Sequence, residues 1–438
     1  MSMTNAAKTG VERTYEYKER INGILGMMEQ APAEQRNPVL EGLLRLIMET
    51  NERTIDCAEN GKPFVSTWYG NAPEILTAMD IHFIVPVFDI LLHEYFTDLY
   101  DVKEADKISL PDDICSLIRF GAYAIENKLL PRPTAIISML EPCDAELMLH
   151  QYYQSSEHWG GVPTFGLDPA YGSTDEDFMY FAGELKRLIH FLVEITGQKY
   201  DVDKLRKVVA ETNTQYELWA EYNELRRVTP CPHGSFQGSV PLWTLTQFIS
   251  SGDPRATELI RMMIMDAEAK VKAGIGAVPN EQIRILWADL APQWGDLLAP
   301  WLAEEWGANV VMDYQGYSPY THIDTTSEDT MLYGLARRAL HEVPMIRQGR
   351  GTVEVMIEDM TRIIKDYTIN CVFWPGHMGH KDVSGSVHFM QELCRSLNVP
   401  LLCLTTSLFD ERYTPLDKVK QQMSEFFEAT GWSKNSST

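Results

Sequence analysis

The chain has 438 residues, 45% of them hydrophobic and 23% charged, a balance typical of a globular protein with room for two or three cores. Its formal charge of −24 argues against broad nucleic-acid binding and against attraction to anionic membranes. A local nest of amides with a few basic side chains can still hold an anion in such a chain.

No run approaches the roughly 18 uninterrupted apolar residues of a membrane span. The opening segment MSMTNAAKTGVERTYEYKER carries no apolar leader core, so a cytoplasmic location is expected. Seven cysteines, an odd number without regular spacing, point to thiols or metal ligands rather than to a disulfide framework.

In chain order, residues 15–50 read as helical, with apolar residues at three- and four-residue spacing in VLEGLLRLIMET. PFVSTWYG (63–70) and HFIVPVF (82–88) read as strands. Between them NAPEILTAMDI reads as a helix start, with Asn71 as cap, Pro73 in the first turn and Glu74 complementing the dipole. DDICSLIRFGAYAIENKLL (112–130) is an amphipathic helix starting near Cys115. TAIISML (134–140) and VPTFGLD (162–168) read as buried parallel strands, with EPCD as the loop after the first. Residues 176–275 are mostly helical, with Asp203 and Asp253 at useful capping positions and a break at loop 229–241. A second alternation follows, with strands at 283–290, 309–314, 369–376 and 399–406 and a closing helix.

The expected class is therefore α/β, with two doubly wound Rossmann-like domains and a helical segment between them. The expected boundaries are 1–60 for an N-terminal helical region, 61–175 for the first α/β domain and 176–278 for the helical segment. The second α/β domain follows over 279–432, then a flexible polar tail over 433–438.

Ligands of open α/β sheets sit past the carboxyl ends of strands. Cys143 and the loop His377–Lys381 both fall there, one in each half. Cys115, 28 positions before Cys143, lies near a helix N-terminus, which stabilises a thiolate. A buried small residue is the structural alternative for either cysteine. No CxxC pair is present, which removes ferredoxin-like and zinc-ribbon motifs.

The loop PGHMGHKDVSGS permits close backbone approach at Gly376, Gly379 and Gly385. It offers His377 and His380 toward one ligand, Lys381 as a cation, and Ser384 and Ser386 as caps or anion contacts. A structural turn with satisfied histidines is its alternative. Cys371 and Cys403 read as strand core and Cys394 as part of a packed helix. Cys57 sits in a polar helical stretch, and Cys231 in a proline-flanked loop near His233. Arg337, Arg338, Arg347 and Arg350 read as a solvated helix end and loop, with contact to an anionic substrate as the other option.

The ordered set APEILTAMDI, LPDDICSLIRFG, EPCDAELML, VPTFGLDPAYG, LKRLIHFLVEITGQKYDVDKLRKVV, GHMGHKDVSG and VPLLCLTTSLFDERYTPLDKVKQQMSEFF resembles the benzoyl-CoA reductase and 2-hydroxyacyl-CoA dehydratase family over roughly residues 60–430. Within it, chain length and the histidine form of the last loop look most like the B-type subunit of ATP-dependent benzoyl-CoA reductase. The resemblance implies two tandem α/β domains holding a 4Fe-4S cluster, a homologous cluster-domain partner subunit, an ATP-hydrolysing activator and ferredoxin as electron donor. It also implies benzoyl-CoA or a related acyl-CoA as substrate, reduced to a cyclic dienoyl-CoA. Radical water elimination from a 2-hydroxyacyl-CoA is the alternative, and a scaffold or electron-transfer subunit without its own substrate site is another.

Carried over by position, Cys115 and Cys143 match the first two cluster cysteines. His380 stands where many relatives have the third, just before Lys381. Cys371, His377 or a non-protein ligand are the alternatives there. Imidazole in place of thiolate makes a cluster less negative and raises its potential. His377 and His380 are also the proton-transfer candidates, with Glu74, Glu157 and His158 ranked below them. Lys381 and Ser384 are the candidates for holding coenzyme A or another anion.

Overall fold

The structure is a computed structural model that describes residues 10–32, 35–89, 102–108, 110–291, 295–350 and 353–435. The first nine residues and the end of the polar tail lie outside the described residues. The expected helical stretch 15–50 is two helices, Gly10–Gln30 and Pro38–Asn60. Pro38 explains the break: it lacks an amide hydrogen and fits only a first turn, where Asn37 accepts from the Leu40 amide at 3.0 Å.

Among the described residues, two four-stranded parallel sheets follow. The first contains β1 (Phe64–Ser66), β2 (His82–Ile84), β3 (Ala135–Met139) and β4 (Thr164–Leu167), in the order β2-β1-β3-β4. The second contains β5 (Ile283–Trp287), β6 (Ala308–Asp313), β7 (Cys371–Trp374) and β8 (Leu401–Cys403), in the order β6-β5-β7-β8. Each half therefore places its first and third strands side by side at the centre. Ile136 pairs with Thr164 in one sheet and Ile285 with Cys371 in the other. Every residue of β3 and of β5 is buried, which is why both read as near-continuous apolar runs. The one charged residue among them, Arg284, is satisfied by the carbonyls of Tyr367 and Val228 at 2.7 and 3.0 Å and by Glu281 at 2.5 Å.

Helices Asp175–Thr196, Val202–Leu225, Ser235–Trp243 and Pro254–Ala273 lie between the sheets in sequence. Trp219 anchors them to the second half: it is fully buried and its Nε1 donates to the Gly316 carbonyl at 3.0 Å. Burying an indole of this size stabilises the packing by roughly 5 kcal/mol.

Several local expectations are corrected. The run 82–88 is a strand only to Ile84; residues 86–89 are helical, since Pro86 suits a first turn. Asn71 does not cap its helix. Ala72 holds that position, and the Asn71 amide donates to Thr67 Oγ1 at 3.1 Å. Asp253 caps as expected, but Asp201, not Asp203, caps the helix Val202–Leu225. The second part of loop 229–241 is helical despite Pro241, because Gly238 lets that helix close onto the Tyr222 ring.

The four arginines are neither one solvated surface nor one anion site. Arg338 donates to Glu74, Thr212 and Asn213 within 3.1 Å; Arg347 grips Asp359 with two bonds of 2.7 and 2.9 Å; Arg350 donates to the Ala170 carbonyl and Ser173. All three are buried, and Arg337 alone is partly exposed. Among the described residues, no helix is long and apolar enough to cross a membrane.

Candidate functional site

The two halves meet at the carboxyl ends of their sheets. Helix Ser116–Glu126 begins at Cys115 and helix Asp144–Ser155 begins at Cys143. In each case the cysteine carbonyl accepts the first helical bond, from Arg119 at 3.0 Å and from Leu147 at 3.1 Å. Gly121 on the first of these helices packs tightly on Val87, whose side chain an added Cβ would meet at 3.0 Å, while Leu149 of the second helix stands at an ordinary 3.7 Å. Both thiols are thus half-buried at the positive ends of helices, a setting that favours the thiolate.

The glycine–histidine loop after β7 reaches the first of these cysteines, Cys115, from the other half. Gly379 has φ +79°, and a Cβ on it would lie 2.0 Å from the Cys115 amide nitrogen and 2.4 Å from the Ile114 carbonyl carbon. Only a glycine permits that contact, so the loop bearing His380 sits directly on the backbone that carries Cys115. The seam continues through Ser116 Oγ and Ser407 Oγ at 2.8 Å, the Phe409 amide donating to Ser116 Oγ at 3.2 Å, and the stacked rings of Phe120 and Phe409. Arg119 and Arg412 both pair with Asp106, at 3.1 and 2.8 Å. At its solvent edge Lys381 Nζ lies 3.4 Å from Asp113.

His380 Nδ1 stands 2.9 Å from Oδ1 of Asp289, a residue just past β5 and 1% exposed. Asp289 Oδ2 is buried without a hydrogen-bond partner. Burial pushes this carboxyl up, but the His380 and His377 imidazoles outweigh it and hold it below the usual carboxylate range. An imidazole held through Nδ1 by a carboxylate presents Nε2 as its ligating atom, the arrangement common around metal-binding histidines. Sequence reasoning missed Asp289. Its signal was an acid just past a mostly apolar strand, in WAD, at the carboxyl edge of a parallel sheet.

His377 does not share a ligand with His380. It is buried, its Nε2 donates to the Leu290 carbonyl at 3.0 Å, and its Nδ1 faces Thr406 Oγ1 at 3.1 Å. Burial pushes its pKa down, so it is the neutral ring that pins the loop. Ser384 Oγ donates to the His380 carbonyl at 2.8 Å, and Ser386 Oγ to the Val383 carbonyl at 2.6 Å. Both serines brace the short helix Lys381–Ser384 rather than open to an anion. Glu74 is held by Arg338, and His158 faces the Leu130 carbonyl at 3.1 Å, so neither stands as a pocket acid or base.

None of the seven cysteines is in a disulfide. Cys371 and Cys231 are fully buried, and burial pushes both thiols up, which disfavours the thiolate a metal needs. Among the described residues, no three His, Cys, Asp or Glu side chains converge on a point that would hold a single metal ion. A multi-iron cluster makes a different demand, because each ligand meets its own iron. The seam holds donor types that such a cluster accepts, a thiol at a helix N-terminus and an imidazole beside a buried carboxylate, and Cys143 offers a second thiol at the start of the neighbouring helix.

One further acid lies close by. Glu146, in the first turn after Cys143, is buried and its Oε2 has no hydrogen-bond partner. Burial drives its carboxyl well above the usual range, against a bond from Ser138. Ser138 Oγ in turn lies 2.8 Å from His150 Nδ1.

The family model described as 2-hydroxyglutaryl-CoA dehydratase, D-component (HGD-D), matches residues 70–430. The chain is also similar to the protein named (R)-2-hydroxyglutaryl-CoA dehydratase, subunit alpha, of Acidaminococcus fermentans. The two are 22% identical over 258 residues, which cover 57% of this chain and 52% of that relative. The chain thus spans about half the length of the curated relative it matches.

Proposed function

This chain belongs to the 2-hydroxyglutaryl-CoA dehydratase D-component family, and on that premise we propose that it is the iron–sulfur subunit of a multi-subunit enzyme acting on an acyl-CoA thioester. The observation that carries this reading is the seating of Gly379 on the Cys115 backbone. It joins a thiol of the first half to an imidazole of the second across one seam. In this reading Cys115, Cys143 and His380 hold a 4Fe-4S cluster, Asp289 orients His380, and His377 and Ser384 keep its loop in place. Lys381, exposed at the edge of the seam, is the cation for the phosphates of coenzyme A. When bound, the cluster supplies low-potential electrons singly to the thioester carbonyl.

We read each half as a doubly wound unit, because the order 2-1-3-4 reverses between its first and third strands. Ligands of such sheets bind at that reversal. Cys143 follows β3, Asp289 follows β5 and His380 follows β7, all beside one of the two reversals. The supporting cast is a homologous subunit, an ATP-hydrolysing activator and ferredoxin, in a reducing cytoplasm.

The names of the family and of the relative favour 2-hydroxyacyl-CoA dehydration. Dearomatising reduction of benzoyl-CoA is the second reading, favoured by His380 at the third ligand position. The complex with its partner subunit, purified without oxygen, should be brown and carry about four irons per chain. Folded, iron-free protein from that preparation would sink the cluster assignment. With activator present, loss of water without net reduction identifies the dehydratase, and a dienoyl-CoA product from benzoyl-CoA identifies the reductase.

A further inference from the structure

Strand β3 and the helix Asp144–Ser155 bury polar side chains between them where apolar ones would cost less. Ser138, in β3, is 0% exposed and Glu146 is 2% exposed. Glu146 and His150 are four positions apart, so both project from one face of the helix, and that face meets Ser138. Ser138 Oγ lies 2.8 Å from His150 Nδ1 and also bonds the Glu146 carboxyl. The other end of the half-buried His150, Nε2, stands 3.2 Å from the side-chain amide of the exposed Gln154. Tyr153, buried on the same helix, is a further titratable group that feels the Glu146 charge.

These three side chains place a hydroxyl, with one hydrogen to give, between an acid and a base. With the proton on Glu146, its O–H donates to Ser138 Oγ, and Ser138 donates to His150 Nδ1. The imidazole hydrogen is then on Nε2, toward Gln154. With the proton on His150, Nδ1–H donates to Ser138 and Ser138 donates to the Glu146 carboxylate. The two arrangements contain the same atoms and differ by one proton moved along two hydrogen bonds. Burial favours the first, which carries no charge: it raises the Glu146 carboxyl and lowers the His150 imidazole.

We propose that Glu146, Ser138 and His150 form a proton relay, in which Glu146 stores a proton that exchanges with solvent through Ser138 and His150. Loading runs inward. Water protonates Nε2 of the Nδ1–H imidazole, Nδ1–H passes to Ser138 Oγ, and the Ser138 hydrogen passes to the Glu146 carboxylate. One proton enters and one is stored, and rotation of the hydroxyl and the ring resets the chain. At about 1.5 Å per residue, the relay runs along the helix from His150, about two turns past Cys143, to Glu146, about one turn past it. Its purpose rests on the proposed function, since both thioester reactions considered there move protons. Its existence does not.

Infrared spectra of the full chain test the relay without the cluster. Near neutral pH the parent should show a protonated-carboxyl band that Glu146→Gln removes. In deuterium oxide that band should exchange faster than the backbone amides of β3 followed by mass spectrometry, because the relay reaches Glu146 without opening the fold. Ser138→Ala preserves the shape of the strand and removes the hydroxyl, so exchange should slow by at least about tenfold, toward the rate of those amides. His150→Phe, at a half-buried position, should slow it as well. In the complex with activator, Ser138→Ala should lower kcat with KM and iron content unchanged. A spectrum unaltered by Glu146→Gln overturns the proposal. So does exchange in the parent no faster than the β3 amides, or exchange at the parental rate in both Ser138→Ala and His150→Phe. Slowed exchange with parental kcat overturns the use of the relay in the reaction. A parent complex without iron or turnover overturns the proposed function instead, and the exchange result stands apart from it.

Discussion

Replacing Gly379 with alanine probes the contact on which the site rests. The added methyl would lie 2.0 Å from the Cys115 nitrogen, 2.4 Å from the Ile114 carbonyl carbon and 2.6 Å from Cys115 Cα. All three are backbone atoms, so no side-chain rotation relieves the overlap. To reach ordinary contact at 3.4 Å from 2.0 Å, the two backbones must part by about 1.4 Å. The left-handed φ of +79° adds roughly 1–2 kcal/mol for any residue with a Cβ. Overpacking adds a further ~1–3 kcal/mol. Gly197→Ala is the internal control. Its φ of +69° carries the same conformational cost, but nothing lies within 4 Å of the added methyl.

Urea unfolding should therefore place Gly379→Ala about 1–3 kcal/mol below Gly197→Ala. Displacing the His380 loop by more than an ångström from Cys115 should also cost about 100-fold in activity and lower the iron bound per chain. If the two variants unfold at the same urea concentration and retain the same iron, the loop does not rest on Cys115 and the site as described is wrong.

Asp289→Asn removes the carboxylate behind His380 while keeping its shape. The expected loss is about 10–100-fold in metal retention or activity, with an altered histidine-nitrogen hyperfine signal; an unchanged signal and iron content would separate Asp289 from the site. Arg347→Met should unfold about 3–5 kcal/mol more easily, because it strands the buried Asp359 carboxylate. Its KM should stay that of the parent, and a raised KM at parental stability would restore the anion-contact reading of this arginine. Glu146 has its folded pKa raised by burial, so its contribution is fully present below the unfolded value of about 4.3 and is lost as pH rises through the folded pKa. Glu146→Gln cannot ionise. Its stability relative to the parent should therefore climb by up to about 1.4 kcal/mol per pH unit across that window; parallel urea midpoints from pH 5 to pH 8 would refute a buried, protonated Glu146.

The features legible along the chain are those set within a few residues. AIISM reads as a buried parallel strand and IRILW as a strand because both faces of such strands are covered, which needs only a near-continuous apolar run. Asp253 reads as a cap because its carboxylate bonds the amide two positions on. The same short range explains the slip between Asp201 and Asp203, where two acids compete for one position. Cys115, Cys143 and His380 stood out by residue type and by their places beside helix starts and strand ends, but the family resemblance was what grouped them as ligands of one site.

What the residues do to one another across the chain was not legible. Arg338 looks like a surface cation until Glu74, 264 positions away, meets it in the core. Helix Ser235–Trp243 looks like a loop until Tyr222 receives Gly238. Asp289 looks like the end of a strand until β7, its neighbour in the sheet, delivers His380 to it. By itself the sequence determined two parallel α/β halves and three candidate ligands. Only the tertiary structure decided that His377 is a pin, that Asp289 backs His380 and that Gly379 joins the halves at Cys115. Periodicity and capping act over one or two turns, whereas burial and pairing of charges depend on which distant segments the packed core brings together.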